Sequence, residues 1–191
     1  AVREAIAAGV DCCGENRVQE LVKKLDEHAY DGAPVHFIGA LQRNKVRQVV
    51  GQVDVIESVD RRELLADINA EAAKRGIVQD ILLEVNIGGE AAKSGFAPED
   101  IAAAAETALA MPHVRVRGLM TIPPVAMEPH GNLAYFEKMR WLYVDINAKI
   151  YDNKMEYLSM GMSGDFADAI RAGSNIVRVG TAIFGARDYT K

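Results

Sequence analysis

Residues 176–187 read IVRVGTAIFGAR. Ile176, Val177 and Val179 form a short β-branched run of the kind that fills a buried strand, and the Gly180–Thr181 pair that follows can open a helix. The stretch is therefore one strand–glycine–helix unit, with an arginine, Arg178, set inside its apolar strand. The same unit recurs upstream. Buried-strand patterns stand at 10–14 (VDCCG), 35–39 (VHFIG), 53–58 (VDVIES), 81–86 (ILLEVN), 116–121 (VRGLMT) and 157–160 (YLSM). Segments of helical period lie between them at 17–30, 42–50, 61–75, 98–110, 132–151 and 165–172, and the chain opens on another, AVREAIAA. Strand and helix in strict alternation predict a parallel sheet with right-handed crossovers.

The alternation allows an open seven-stranded sheet or a closed barrel, and the count favours the barrel. Seven strands are visible and the first element is helical, so an α/β fold of the TIM-like (β/α)8 barrel type is expected, with its first strand missing from this chain. An open dinucleotide-binding sheet would carry a glycine fingerprint after its first strand, and none is present. Local signals agree with the alternation. Asp60 is placed to cap the helix that ends at Gly76, Pro98 suits a first helical turn, and Gly173 follows DAIRA as a helix stop.

At 191 residues and 49% apolar the chain suits one buried domain, spanning 1–191. With 22 basic and 27 acidic residues, the net charge of −5 gives no global attraction to nucleic acid or anionic lipid. No apolar run approaches the ~20 residues of a membrane span. Cys12 and Cys13 are adjacent in one strand, with side chains on opposite faces, so they read as packing residues in a reducing cytoplasm. His36 alternates with apolar neighbours and reads as a core histidine. His28, His113 and His130 lack metal-ligand spacing. Phe136, Met139 and Tyr143 share a helical face and belong to the core. Arg43, Lys45 and Arg47 read as a solvated helix face rather than an RNA contact. GGEAAKS is similar to a phosphate-binding P-loop, but Ala92 stands where that motif needs glycine.

In a β/α barrel the chemistry lies at the C-terminal ends of the strands, and phosphate commonly binds in the loops after strands seven and eight. Here those loops are SMGMSGDF and VGTAIFG. Gly161, Gly164 and Gly180 allow close approach of backbone N–H groups, Ser163 and Thr181 offer hydroxyls, and each loop leads into a helix. A phosphorylated ligand is one reading of these loops, and tight turn geometry alone is the other. Arg178 lies one step before the second loop. A buried guanidinium must meet either a carboxylate, Glu84 being the candidate, or a bound ligand.

CGENRVQE, HFIGALQRNK, LLEVNIGGEAAKSGF, GLMTIPP and LSMGMSGDFADAIRAGSNIVRVGTAIFGAR, in this order, resemble the pyridoxal phosphate (PLP) homeostasis family of the YggS/PROSC type, itself similar to the N-terminal barrel of alanine racemase. The resemblance implies a barrel that binds pyridoxal 5'-phosphate at its mouth and buffers or delivers it in vitamin B6 balance, without robust catalysis, to PLP-dependent apoenzymes as recipients. It implies that Ser163, Gly180 and Thr181 hold the phosphate and that Arg178 faces the pyridine nitrogen. Asn16 and Met160 are placed near the ring, and Lys93 near its phenolic oxygen. A guanidinium only donates, so the nitrogen it meets is unprotonated and the ring is a weaker electron sink than a pyridinium.

Two departures qualify the resemblance. The family attaches PLP as a Schiff base to a lysine on the first barrel strand; no lysine here matches it, and trimming at the N-terminus is the expected reason. Alanine racemases draw an opposite-face tyrosine from a second domain, for which this chain has no counterpart, and racemisation needs groups on both faces. A PLP-dependent amino-acid racemase or related carbon-acid enzyme is accordingly the second reading.

Overall fold

The computed structural model describes residues 1–185. Ala186 and Arg187, which end the quoted motif, and the last residues of the expected 1–191 domain lie outside the described residues. Seven strands form one parallel sheet in sequence order: β1 (Cys13–Glu15), β2 (Val35–Phe37), β3 (Val55–Val59), β4 (Gln79–Val85), β5 (Val114–Thr121), β6 (Tyr157–Met162) and β7 (Ile176–Arg178). They curl into a nearly closed barrel wrapped by α1 (Val2–Ala7), α2 (Val18–Asp26), α3 (Arg62–Arg75), α4 (Ile101–Leu109), α5 (Leu133–Lys149), α6 (Phe166–Arg171) and α7 (Thr181–Phe184). Every expected strand forms, within a few residues of its pattern. Among the described residues no helix is long and apolar enough to cross a membrane.

The helical expectations shift in three places. Residues 43–48 form a 3-10 helix, Arg43–Gln48, rather than an α-helix. Asp60 does not cap α3: the N-cap is Arg61 and no side chain bonds the first turn, because the Asp60 carboxylate is taken by Arg61 Nη1 at 2.5 Å. α4 starts at Ile101 after Asp100, leaving Pro98 outside the helix. Gly76 does close α3, in the left-handed conformation at φ 65° that glycine adopts without strain.

Two apolar layers follow from strand alternation. Ile56, Ile81, Leu83, Leu119, Leu158 and Met160 point outward and pack with helix residues such as Phe136, Met139 and Ala169 in the main core. Inside the barrel Val55, Leu82 and Met120 form a small plug, with Ile122 and Tyr157 against it. Below the plug, Asp80 accepts from Arg115 Nε at 2.6 Å and Arg117 Nη1 at 2.5 Å, and Arg117 lies over the Tyr157 ring, 5.0 Å from its centroid. These ion pairs close the N-terminal end of the barrel, which leaves polar groups above the plug facing the other end.

Candidate functional site

Arg178 rises from β7 into the barrel interior, partly buried. Its Nη1 donates to Ser159 Oγ at 2.6 Å and its Nη2 to the Thr121 carbonyl at 2.8 Å. Burial pushes its pKa down, and the carboxylates of Glu57, Glu84 and Asp165, in that order, oppose the shift. Among the described residues no ion pair joins it to Glu84, so the carboxylate named as the alternative to a ligand acts only at a distance. The guanidinium carries five N–H groups, of which two protein bonds use one each on Nη1 and Nη2. Donor capacity remains for a ligand.

Glu84, on β4, is 7% exposed. Burial, and then the Asp60 carboxylate, push its pKa up from 4.5 to about 7, while Arg178 pulls it back. The folded protein thus holds a proton that the unfolded chain would release. The stabilisation is complete below the unfolded value near 4.5 and is lost as pH rises through about 7. Glu84→Gln should therefore be more stable than the parent at pH 8, by on the order of 3 kcal/mol, with the difference vanishing below about pH 4.5. Thermal melts of both proteins across pH 4–8 check this, and a gap that widens on acidification would refute it.

The loops after β6 and β7 meet beside Arg178. Ser163 Oγ accepts from the Ala182 backbone N–H at 3.4 Å, which joins the first loop to the start of α7. Among the described residues, no atom beyond the adjoining residues lies within 4 Å of where a Cβ would stand at Gly164 or Gly180, and the backbone N–H groups of Gly164, Gly180 and Thr181 donate to no acceptor. Gly161 has a different use. At φ 95° its hydrogen faces α6, where a Cβ would stand 2.5 Å from Ala169 Cβ, so this glycine lets the loop pack rather than opening it to a ligand. Asp165 ties the first loop down through Met162 N–H at 2.7 Å and Asn132 Nδ2 at 2.7 Å.

Asn16 stands exposed just past β1. Its N–H donates to Glu15 Oε1 at 2.9 Å, and Glu15 is fixed by Lys24 and by the Tyr30 hydroxyl at 3.0 Å. Lys93, in the loop after β4, donates to the Pro123 carbonyl at 3.0 Å and pairs with Glu90 at 2.5 Å, which bridges the loops after β4 and β5. Met160 is placed differently from the rest. It follows Ser159 on β6, so with Ser159 inside the barrel its side chain points outward and is fully buried in the main core. The fold thus gathers Ser163, Arg178, Gly180 and Thr181 in one region, while Met160 lies behind the strand.

Sequence reasoning missed Glu57 and Ser159. Both are polar residues within apolar strand patterns, and that was the signal available: Glu57 interrupts VDVIES and Ser159 interrupts YLSM at inward positions. Cys12 also faces the charged side, its thiol pushed up to about 11 by burial first and then by Glu57.

The residues present suit an anionic group such as a phosphate, with amides that meet no acceptor among the described residues beside open glycines at one end and an arginine with spare donors next to them. Comparisons with known proteins agree. The model of the family described as alanine racemase, N-terminal domain, matches residues 1–188. The chain is 45% identical over 188 residues to a pyridoxal phosphate homeostasis protein of Aquifex aeolicus, covering 98% of this chain and 82% of that one. A crystal structure of a protein from Bifidobacterium adolescentis superposes with a TM-score of 0.88 at 39% identity, covering 94% of this chain and 78% of that chain. PipY of Synechococcus elongatus, solved with PLP bound, superposes with a TM-score of 0.85 at 32% identity, covering 96% and 86%. This chain belongs to the alanine racemase N-terminal domain family and, within it, to the pyridoxal phosphate homeostasis proteins.

Proposed function

We propose that this protein binds pyridoxal 5'-phosphate at the mouth of its barrel and serves vitamin B6 balance by buffering the cofactor and delivering it to PLP-dependent apoenzymes. The observation that carries the reading is Arg178, set inside the barrel and adjoining two loops in which the Gly164, Gly180 and Thr181 amides meet no acceptor among the described residues. Gly164, Gly180 and Thr181 would supply backbone donors to the phosphate, and Ser163 and Thr181 their hydroxyls. Asn16 would border the ring from β1. Arg178 would donate to the ring nitrogen and so keep it unprotonated. Bound PLP supplies an electron sink for carbon-acid chemistry, and it does so best with a protonated ring. Arg178 therefore favours a role that holds the cofactor. The free thiols of Cys12 and Cys13 suit a cytoplasmic setting, and we read residues 1–191 as a single domain.

The phosphate loops give the direct test. The Ser163→Ala, Thr181→Ala double variant should lose about tenfold or more in affinity for PLP, and much less for pyridoxal, which has no phosphate. Titration of both ligands against both proteins measures this. Equal losses would remove these residues from the phosphate site, and a parent protein that does not distinguish PLP from pyridoxal would refute the reading itself.

A further inference from the structure

A line of hydrogen bonds crosses the barrel interior beneath the candidate site. Arg178 Nη1 donates to Ser159 Oγ at 2.6 Å, Ser159 Oγ donates to Glu57 Oε2 at 2.6 Å, and His36 Nδ1 lies 2.6 Å from Glu57 Oε1. The line runs through β7, β6, β3 and β2. Its polarity is set by chemistry: a guanidinium can only donate, so the single Ser159 proton is committed to the Glu57 carboxylate. Ser159 and Glu57 are 0% and 1% exposed, so neither hydroxyl nor carboxylate is available to a ligand. Glu57 is also the foremost of the carboxylates that hold the charge of Arg178 against burial. Among the described residues, the other charged groups that act on Arg178 are Glu84 and Asp165, and neither bonds to it.

We propose that Glu57 is a positioning residue for the ligand: acting through Ser159, and locked from behind by His36, it fixes the Arg178 guanidinium so that the site selects a ring bearing an unprotonated nitrogen. The inference rests on the reading that Arg178 meets the ring nitrogen of PLP. Two of the four N–H groups on the Arg178 Nη atoms are committed to Ser159 and Thr121, on different strands, which leaves the fork little freedom to turn. Removing the Glu57 charge, or the Ser159 hydroxyl that transmits it, frees one arm of the fork and so loosens recognition of the nitrogen while the phosphate loops stay intact.

The test compares PLP with its 1-deaza analogue, in which a C–H replaces the ring nitrogen. Dissociation constants for both ligands are measured on the parent protein and on Glu57→Gln, Ser159→Ala and Arg178→Ala. The readout is the preference for PLP over the analogue, a ratio within each protein, so a general loosening of the fold cancels. The parent should prefer PLP, and Glu57→Gln and Ser159→Ala should each lower that preference about tenfold. Ser159→Ala is the milder change and decides the matter if Glu57→Gln does not fold. If Arg178→Ala abolishes the preference while the other two variants keep it, the positioning role is overturned and the reading of Arg178 stands. If Arg178→Ala also keeps it, both are overturned.

Discussion

Arg178→Ala is expected to raise the dissociation constant for PLP by about 10- to 100-fold, the worth of a charge-assisted hydrogen bond in a sheltered site. The loss should exceed that of any single phosphate-loop substitution, because the backbone donors at Gly164, Gly180 and Thr181 survive side-chain changes. The variant should also change the protonation of the ring and hence the visible absorption of bound PLP. Without the guanidinium, the nitrogen is no longer held in its unprotonated form. Arg178→Lys should recover little. An ammonium is a compact charge that cannot serve Ser159 Oγ, the Thr121 carbonyl and a ligand in the planar arrangement of the fork. Titration and absorption spectra of the three proteins check this, and an unchanged affinity and spectrum in Arg178→Ala would remove Arg178 from the site.

Gly39→Ala should produce the largest loss of stability among small substitutions near the mouth, about 3 kcal/mol, through overpacking against backbone. A Cβ at this position would stand 2.1 Å from the Asn16 carbonyl oxygen and 2.7 Å from its Cα. Backbone cannot move aside as a flexible side chain would, and Asn16 is tethered through Glu15, Lys24 and Tyr30. The cost must therefore appear either as unfolding or as displacement of Asn16 from the rim of the site. Denaturant melts and PLP titration of the variant separate these outcomes. Stability and affinity both unchanged would mean that β1 and the loop after β2 are not held together as described.

The alternation of β-branched runs and helical periods determined by itself the order of elements and the parallel sheet, because strand and helix periods are local properties of consecutive side chains; the strand count and the missing glycine fingerprint then favoured a barrel over an open sheet. Inward and outward faces were partly legible for the same reason: Phe136, Met139 and Tyr143 lie in the core as their spacing implies, and His36 is a satisfied interior histidine. The loops SMGMSGDF and VGTAIFG mark the region of the candidate site in the sequence itself.

Only the tertiary structure decided the partners. Arg178 meets Ser159 and Thr121 rather than Glu84, Glu57 is joined to a serine 102 residues away, and Gly161 serves packing on α6 where its neighbour Gly164 stands open. Met160 is turned into the core by a strand alternation that the loop motif alone did not reveal. Each of these is a contact across the barrel or between layers. Its geometry depends on how seven strands tilt and register against one another, which no local pattern in the chain encodes.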